Sequence, residues 1–271
     1  MPATLLSHQA LVLPLKLRWP RLFSGLALCI GSMAPDLEFI GRMHDDWIVS
    51  HTVGAQVWFT IPVTAALVWV VSALLIPVLL PYLPEHAWWR PHDLGAIQPP
   101  RSPGAWGRVV ASAWVGGMSH VVLDGLTHGN HSGWLVPHLP LLRTPVPHVG
   151  GPVPLHDALQ FWCTIVLAIV AIVLWRRMVR ARLLWQWHDR AHLAERRIPA
   201  QPRVEGVRIV RVLVVAAVVG GTVGYALRGS ASAKTMMAGT AFGAIDFAVG
   251  AAVTAAALRR WRRTVVPEAV Y

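Results

Sequence analysis

Val53-Gly-Ala-Gln-Val-Trp-Phe-Thr-Ile-Pro-Val-Thr-Ala-Ala-Leu-Val-Trp-Val-Val-Ser-Ala-Leu-Leu-Ile-Pro-Val-Leu-Leu80 is the stretch that decides the fold. A helix that crosses a bilayer needs roughly 20 predominantly apolar residues, and this run supplies them without one charged side chain. Three more runs, 109–127, 158–175 and 209–227, meet the same requirement, and a fifth covers 236–258. The segment 22–34 is too short to span and stops at Pro35-Asp36, so it reads as a partial or re-entrant helix. The fold class that follows is all-α: a multi-pass α-helical membrane protein with about five spanning helices plus a partial N-terminal helix.

Composition points the same way. Of 271 residues 55% are hydrophobic and only 14% charged, a balance that places the chain in the membrane class. The formal net charge is +11, but the basic residues sit at the ends of apolar runs instead of interleaving with aromatics on a polar surface, which argues for topology and against nucleic acid. Cys29 and Cys163 lie inside apolar runs and read as buried thiols. The N-terminus has neither the basic start nor the small-residue cleavage site of a cleavable signal, so the first apolar segments are expected to be retained.

Lysine and arginine set the orientation, because cytoplasmic loops carry the positive excess. The loop 176–208, with Arg176, Arg177, Arg180 and Arg182 at its start, and the tail with Arg259, Arg260, Arg262 and Arg263 are expected inside; 228–234 is a short external hairpin. Working backwards, 81–108 is internal and 128–157 external, in a cell (plasma or inner) membrane. The expected division is a helical membrane domain over 1–175 that carries the site, a basic cytoplasmic linker over 176–208 and a two-helix hairpin over 209–271. The Pro- and Trp-rich loop 81–108 reads as a connector, with His86, His92 and Asp93, like His44, Asp45 and Asp46, solvated in loops. Glycines in the last two spans read as close helix packing. Asp246 receives no role.

The chemistry-bearing signal is Ser119-His120-Val-Val-Leu-Asp124-Gly-Leu-Thr127-His128, which puts imidazole, carboxylate and imidazole at i, i+4 and i+8 on one face of an apolar helix. An intramembrane Asp needs a partner or a metal, and two flanking imidazoles supply half of a site for zinc or another divalent ion. The bland alternative is a polar network that hydrogen-bonds helices together. Gly31-Ser-Met-Ala-Pro35-Asp36-Leu-Glu38 delivers two carboxylates where an apolar run stops, Ser50-His51-Thr52 stands at the outer start of the first long span, and Ser7-His8 lies in a short apolar segment. Each is weak alone, as turn, cap or interface residue. The topology nevertheless brings Asp36, His51 and His128 to one face, with His120 about 12 Å deeper than His128. His131, His138, His148 and His156 belong to a His-rich loop at the same mouth, either as supporting groups or ligands or as an ordinary flexible loop.

Taken in order, Ser7-His8, Gly31-Ser-Met-Ala-Pro-Asp36, Ser50-His51-Thr52, Ser119-His120-x-x-x-Asp124-x-x-Thr127-His128 and His138-Leu-Pro-Leu-Leu resemble the bacterial membrane proteins described as domain of unknown function 4184. That family is similar to the LexA-regulated membrane-bound metal-dependent hydrolases and, more distantly, to zinc-dependent phospholipase C. The resemblance covers about 1–175. It implies a metal site of His8, Asp36, His51, His120 and Asp124, with His128 as a further ligand. The phospholipase pattern closes with His-x-x-x-Glu, where this chain has His156-Asp-Ala-Leu-Gln160, so one or two divalent ions, zinc foremost, is the implied complement. The implied activity is metal-dependent hydrolysis of a phosphoester such as a phospholipid or lipid-linked phosphate, with Asp36 or Glu38 as the base and Asp124 holding or bridging the metal. The competing class is a non-catalytic multi-pass membrane protein whose polar cluster is structural or stores metal.

Overall fold

The computed structural model describes residues 4–38, 49–83, 90–130, 132–188, 203–226 and 250–255. These residues are mostly helical: α1 (Thr4–Arg18), α2 (Gly25–Gly31), α3 (Gln56–Tyr82), α4 (Pro103–Thr127), α5 (Leu155–Arg180), α6 (Leu183–Trp187) and α7 (Arg203–Ala226). A two-residue antiparallel pairing of β1 (Pro145–Val146) with β2 (Val153–Pro154) is the sheet found among them.

Three of these helices, α3, α4 and α5, are long and apolar enough to cross a membrane, matching the expected spans 53–80, 109–127 and 158–175. The expected fourth span, 209–227, overlaps the helix α7, whose apolar stretch, Val214–Val223, is shorter than a crossing requires. Most of the fifth falls outside the described residues, as do His44, Asp45, Asp46, His86, His131, Asp246, the hairpin 228–234 and the basic tail. The short segment before Pro35 is helical only over α2, followed by a tight 3-10 turn at Ala34–Asp36.

Local sequence explains the shapes. The Ser24 hydroxyl caps α2 by accepting from Ala27 N–H, and Ser102 does the same for Ala105 at the start of α4, where Pro103 occupies the first helical position. Helix α3 widens into π turns at Gln56–Thr60 and Val71–Leu75. Pro62 and Pro77 follow those turns, and each lacks the N–H that the carbonyl four residues earlier would receive.

The chain divides into two compact units. The first comprises Met1–Glu38, Trp47–Ala66 and Arg101–Trp175, the second Phe39–Asp46, Leu67–Pro100 and Arg176–Tyr271. At the centre of the first, α4 buries Val109, Ser112, Ala113, Gly116, His120 and Asp124 along one stripe at helical spacing. Helix α2 lies against that stripe at backbone contact: a Cβ on Gly31 would meet the Ala113 carbonyl oxygen at 2.7 Å, and one on Gly116 the Leu28 carbonyl oxygen at 2.6 Å. Helix α1 packs beside both. Its Lys16 is buried and donates to the Phe23 carbonyl at 2.8 Å and to the Pro20 carbonyl, closing the turn that leads into α2. Burial, and then the nearby Arg108 guanidinium, push the Lys16 amine down to about 8. By contrast α5 exposes Ile165, Val166, Ile169 and Val173, as a helix facing lipid should.

The second unit corrects one expectation. Asp93 is not solvated: it is 2% exposed, and its Oδ1 accepts from the Arg182 guanidinium at 2.9 Å and the Trp185 indole N–H at 2.8 Å. The supposed connector forms a 3-10 turn at Pro91–Ala96 that folds against α6, and Arg182, at φ 52° in the left-handed region, turns the chain after α5 so that both donors reach it.

Candidate metal centre

The site assembles from four separate places in the first unit. Helix α4 presents His120 and Asp124 one turn apart, the 3-10 turn after α2 presents Asp36, the loop before α3 presents His51, and α1 brings His8. His8, His51, His120 and Asp124 are all at most 5% exposed, so any charge here is answered by protein groups and not by water.

Hydrogen bonds fix how the two central imidazoles are turned. His120 Nδ1 lies 2.8 Å from the Ser32 carbonyl oxygen, which can only accept, so Nδ1 carries the proton. The Ser50 hydroxyl gives its proton to the Pro35 carbonyl at 2.8 Å and therefore accepts from His51 Nδ1 at 3.1 Å. When both rings are neutral, each directs an Nε2 lone pair into one space, where the two nitrogens stand 3.1 Å apart. Two lone pairs cannot hydrogen-bond to each other; a cation between them satisfies both.

Carboxylates complete the set. His51 Nε2 is 3.5 Å from Asp36 Oδ1 and 3.4 Å from Asp124 Oδ2, while His120 Nε2 is 3.5 Å and 3.3 Å from the same two oxygens. Donor atoms from all four residues lie within 4.8 Å of one another. Ligands at 2.0–2.1 Å around a tetrahedral ion are separated by about 3.3 Å, and these separations match that edge. Asp36, His51, His120 and Asp124 can hold a metal ion.

His8 and His128 border the set through the other oxygen of Asp124: Oδ1 is 3.5 Å from His8 Nε2 and 3.6 Å from His128 Nδ1. The His8 ring stacks on His120 with centroids 3.9 Å apart and planes at 22°. The Thr127 hydroxyl donates to the Leu123 carbonyl and so accepts from His128 Nδ1 at 3.2 Å, while the Gln160 amide reaches His128 Nε2 at 2.8 Å. His128 thus turns an N–H, not a lone pair, towards Asp124. Glu38 is placed differently: its Oε2 accepts from the backbone N–H groups of Val49 (3.0 Å) and Ser50 (2.7 Å), which fixes the loop carrying His51. Of the loop histidines, His138 is exposed, His148 packs edge-on to Phe161 and His156 lies beside Asp157 at 3.1 Å, all outside the set of four.

The sequence pattern of the family described as Domain of unknown function (DUF4184) matches residues 1–259. The chain belongs to that family. The match runs past 175, so the C-terminal helices, in which the sequence showed no recognisable motif, are part of the DUF4184 pattern as well. No curated protein and no solved structure matches the chain.

Charge in this DUF4184 site is balanced by the rings. Burial alone would raise Asp36, but His120 and then His51 outweigh it and hold the carboxyl at about 2. Burial alone would lower His51, yet its hydrogen bonds to Asp124 and Asp36 raise it to about 9. Burial, followed by the stacked His120, pushes His8 down to about 3, so that ring is neutral at pH 7. Because a metal must displace the His51 proton below pH 9, affinity is expected to fall as pH drops, by about tenfold per unit between pH 8 and pH 6. Calorimetric titration in buffers of different ionisation enthalpy checks this; an affinity flat in pH with no proton release contradicts it.

Sequence reasoning passed over Gln56. Fully buried in the first π turn of α3, its amide donates to the Ser50 carbonyl at 2.7 Å and the Thr52 carbonyl at 2.9 Å, while its Oε1 accepts from Thr60 at 2.8 Å. The only signal was an amide in an otherwise apolar helix start. Gln56→Leu is expected to strand both carbonyls and to weaken metal binding roughly 10–100-fold, as loss of a supporting hydrogen bond typically does. Competition with a chromogenic chelator measures it, and unchanged affinity would remove Gln56 from the account.

Proposed function

We propose that the protein is a metal-dependent membrane hydrolase that cleaves a phosphoester, with a phospholipid or lipid-linked phosphate as substrate and zinc as the first metal to test. The observation that carries this reading is the pair of Nε2 lone pairs, each oriented by a carbonyl or hydroxyl partner, converging with two carboxylates in a buried pocket. When bound, a divalent ion supplies a lowered pKa for water and polarises a phosphoryl oxygen. Asp36 is the most open of the four, with its side chain 17% exposed against 7% for Asp124 and 4% for His51, so it faces the side from which water and substrate enter and serves as the base. Glu38 positions His51 through Ser50. Asp124 would hold the ion together with Asp36, His51 and His120, while its Oδ1 faces His8 and His128.

The substrate class rests on location: His120 and Asp124 lie towards one end of a helix able to cross a membrane, where a site would meet lipid head groups first. The order of the histidine and aspartate motifs resembles that of LexA-regulated membrane hydrolases and, more distantly, of phospholipase C, and this resemblance suggests the same chemistry. The full-length protein, purified in mild detergent, is expected to hydrolyse phospholipids or simple phosphate esters, to lose turnover on chelation and to regain it with added metal. Turnover indifferent to chelator, or metal binding with no hydrolysis of any phosphoester, would favour a storage or structural role for the cluster.

A further inference from the structure

The end of the first unit remote from the metal cluster is built from two segments that carry basic residues and no acidic ones. Residues 1–35 contain Lys16, Arg18 and Arg21 but no Asp or Glu, and residues 101–123 contain Arg101 and Arg108, again with none. The fold brings these two segments together. Helix α1 runs antiparallel to α4, with His8 against Asp124 at one end and Lys16 near Arg108 at the other, and Ser24 N–H donates to the Ser112 hydroxyl at 2.9 Å. Arg108 precedes Asp124 by sixteen residues, about 24 Å along the helix, against a hydrocarbon core of roughly 30 Å. With α4 crossing the bilayer near its normal, the turn between α1 and α2 sits close to the membrane surface opposite the cluster.

Its side chains have the composition of such a surface. Arg18, Arg21, Arg101 and Arg108 are exposed, Trp19 is 47% and Leu22 60% exposed, and the Arg18 guanidinium lies 5.6 Å from the Trp19 ring centre. Lys16 holds the turn from within, through the Pro20 and Phe23 carbonyls, so the arginines project from a fixed platform. Tryptophan and leucine insert at head-group level while arginines seek phosphate, and a zwitterionic surface would leave this excess of positive charge unanswered.

We propose that this platform binds anionic phospholipid head groups of the leaflet opposite the metal cluster, with Arg18, Arg21, Arg101 and Arg108 on the phosphates and Trp19 and Leu22 in the interface. The binding is independent of any hydrolytic activity. Native mass spectrometry of the full-length protein, titrated with phosphatidylglycerol or with phosphatidylcholine, tests it. The wild type is expected to bind phosphatidylglycerol more tightly than phosphatidylcholine. In the triple variant Arg18→Gln, Arg21→Gln, Arg108→Gln the tightest phosphatidylglycerol sites should weaken by on the order of fivefold per arginine, about a hundredfold in all. The charge-keeping triple Arg18→Lys, Arg21→Lys, Arg108→Lys should retain the preference, which separates lost charge from lost fold. Equal affinity of the wild type for the two lipids, or a glutamine variant that keeps the preference, overturns the proposal.

Discussion

Asp124→Ala is expected to empty the metal centre, lowering affinity roughly 100-fold or more. Among the described residues its carboxylate is the one group that meets four imidazoles: Oδ2 faces His51 and His120, and Oδ1 faces His8 and His128. Alanine leaves the central lone pairs with only Asp36 as counter-charge, in a pocket too buried for water to compensate. Asp124→Asn keeps the size of the side chain and removes its charge, so it separates loss of the ligand from collapse of the pocket, and should lose the metal too. Elemental analysis of the purified variants, with helix content followed by circular dichroism, checks the outcome. Full metal loading in both variants would mean that the ion does not depend on Asp124 and would contradict this ligand set.

Gly116→Ala is expected to be as damaging to the fold as Asp124→Ala is to the site. The added methyl would meet the Leu28 carbonyl oxygen at 2.6 Å and the Ser32 nitrogen at 2.8 Å, both backbone atoms with no rotamer to escape into. Helix α2 must move away from α4, and with it the Ser32 carbonyl that orients His120. Overpacking of this kind costs about 1–3 kcal/mol, and contact with backbone on the far side places this case at the upper end, a fall in Tm of roughly 5–10 °C. Metal affinity should fall in the same variant. Gly104→Ala is the control: it lies on the same helix with nothing within 4 Å of the added carbon, and should leave both quantities unchanged.

The spans were legible because lipid imposes a composition: a helix facing hydrocarbon must be apolar over its full length whatever its partners are. His120, Asp124 and His128 were legible for the converse reason, since ionisable side chains are costly inside such a run and three at helical spacing point to a shared task. Asp36, His51 and His8 needed the motif order, because Pro-Asp and Ser-His pairs are ordinary turns and caps when read alone. What escaped were the groups that orient the ligands. The Ser32 and Pro35 carbonyls are backbone and leave no mark in sequence, and Gln56 and Ser50 are unremarkable polar residues until the fold sets them against His51. Asp93 escaped for a related reason. Its partners Arg182 and Trp185 lie some ninety residues on, in what composition alone presents as a basic linker.

Asp36, His51, His120 and Asp124 are expected to hold a metal ion in the purified protein. The most direct test is the metal content of the full-length protein, purified without chelator and measured by inductively coupled plasma mass spectrometry beside His120→Ala. At least about one divalent ion per wild-type chain is expected, the complement of a four-ligand site, with a large loss in the variant. A wild-type protein that is correctly folded, carries no stoichiometric metal and takes up none when zinc, manganese or iron is supplied would contradict it.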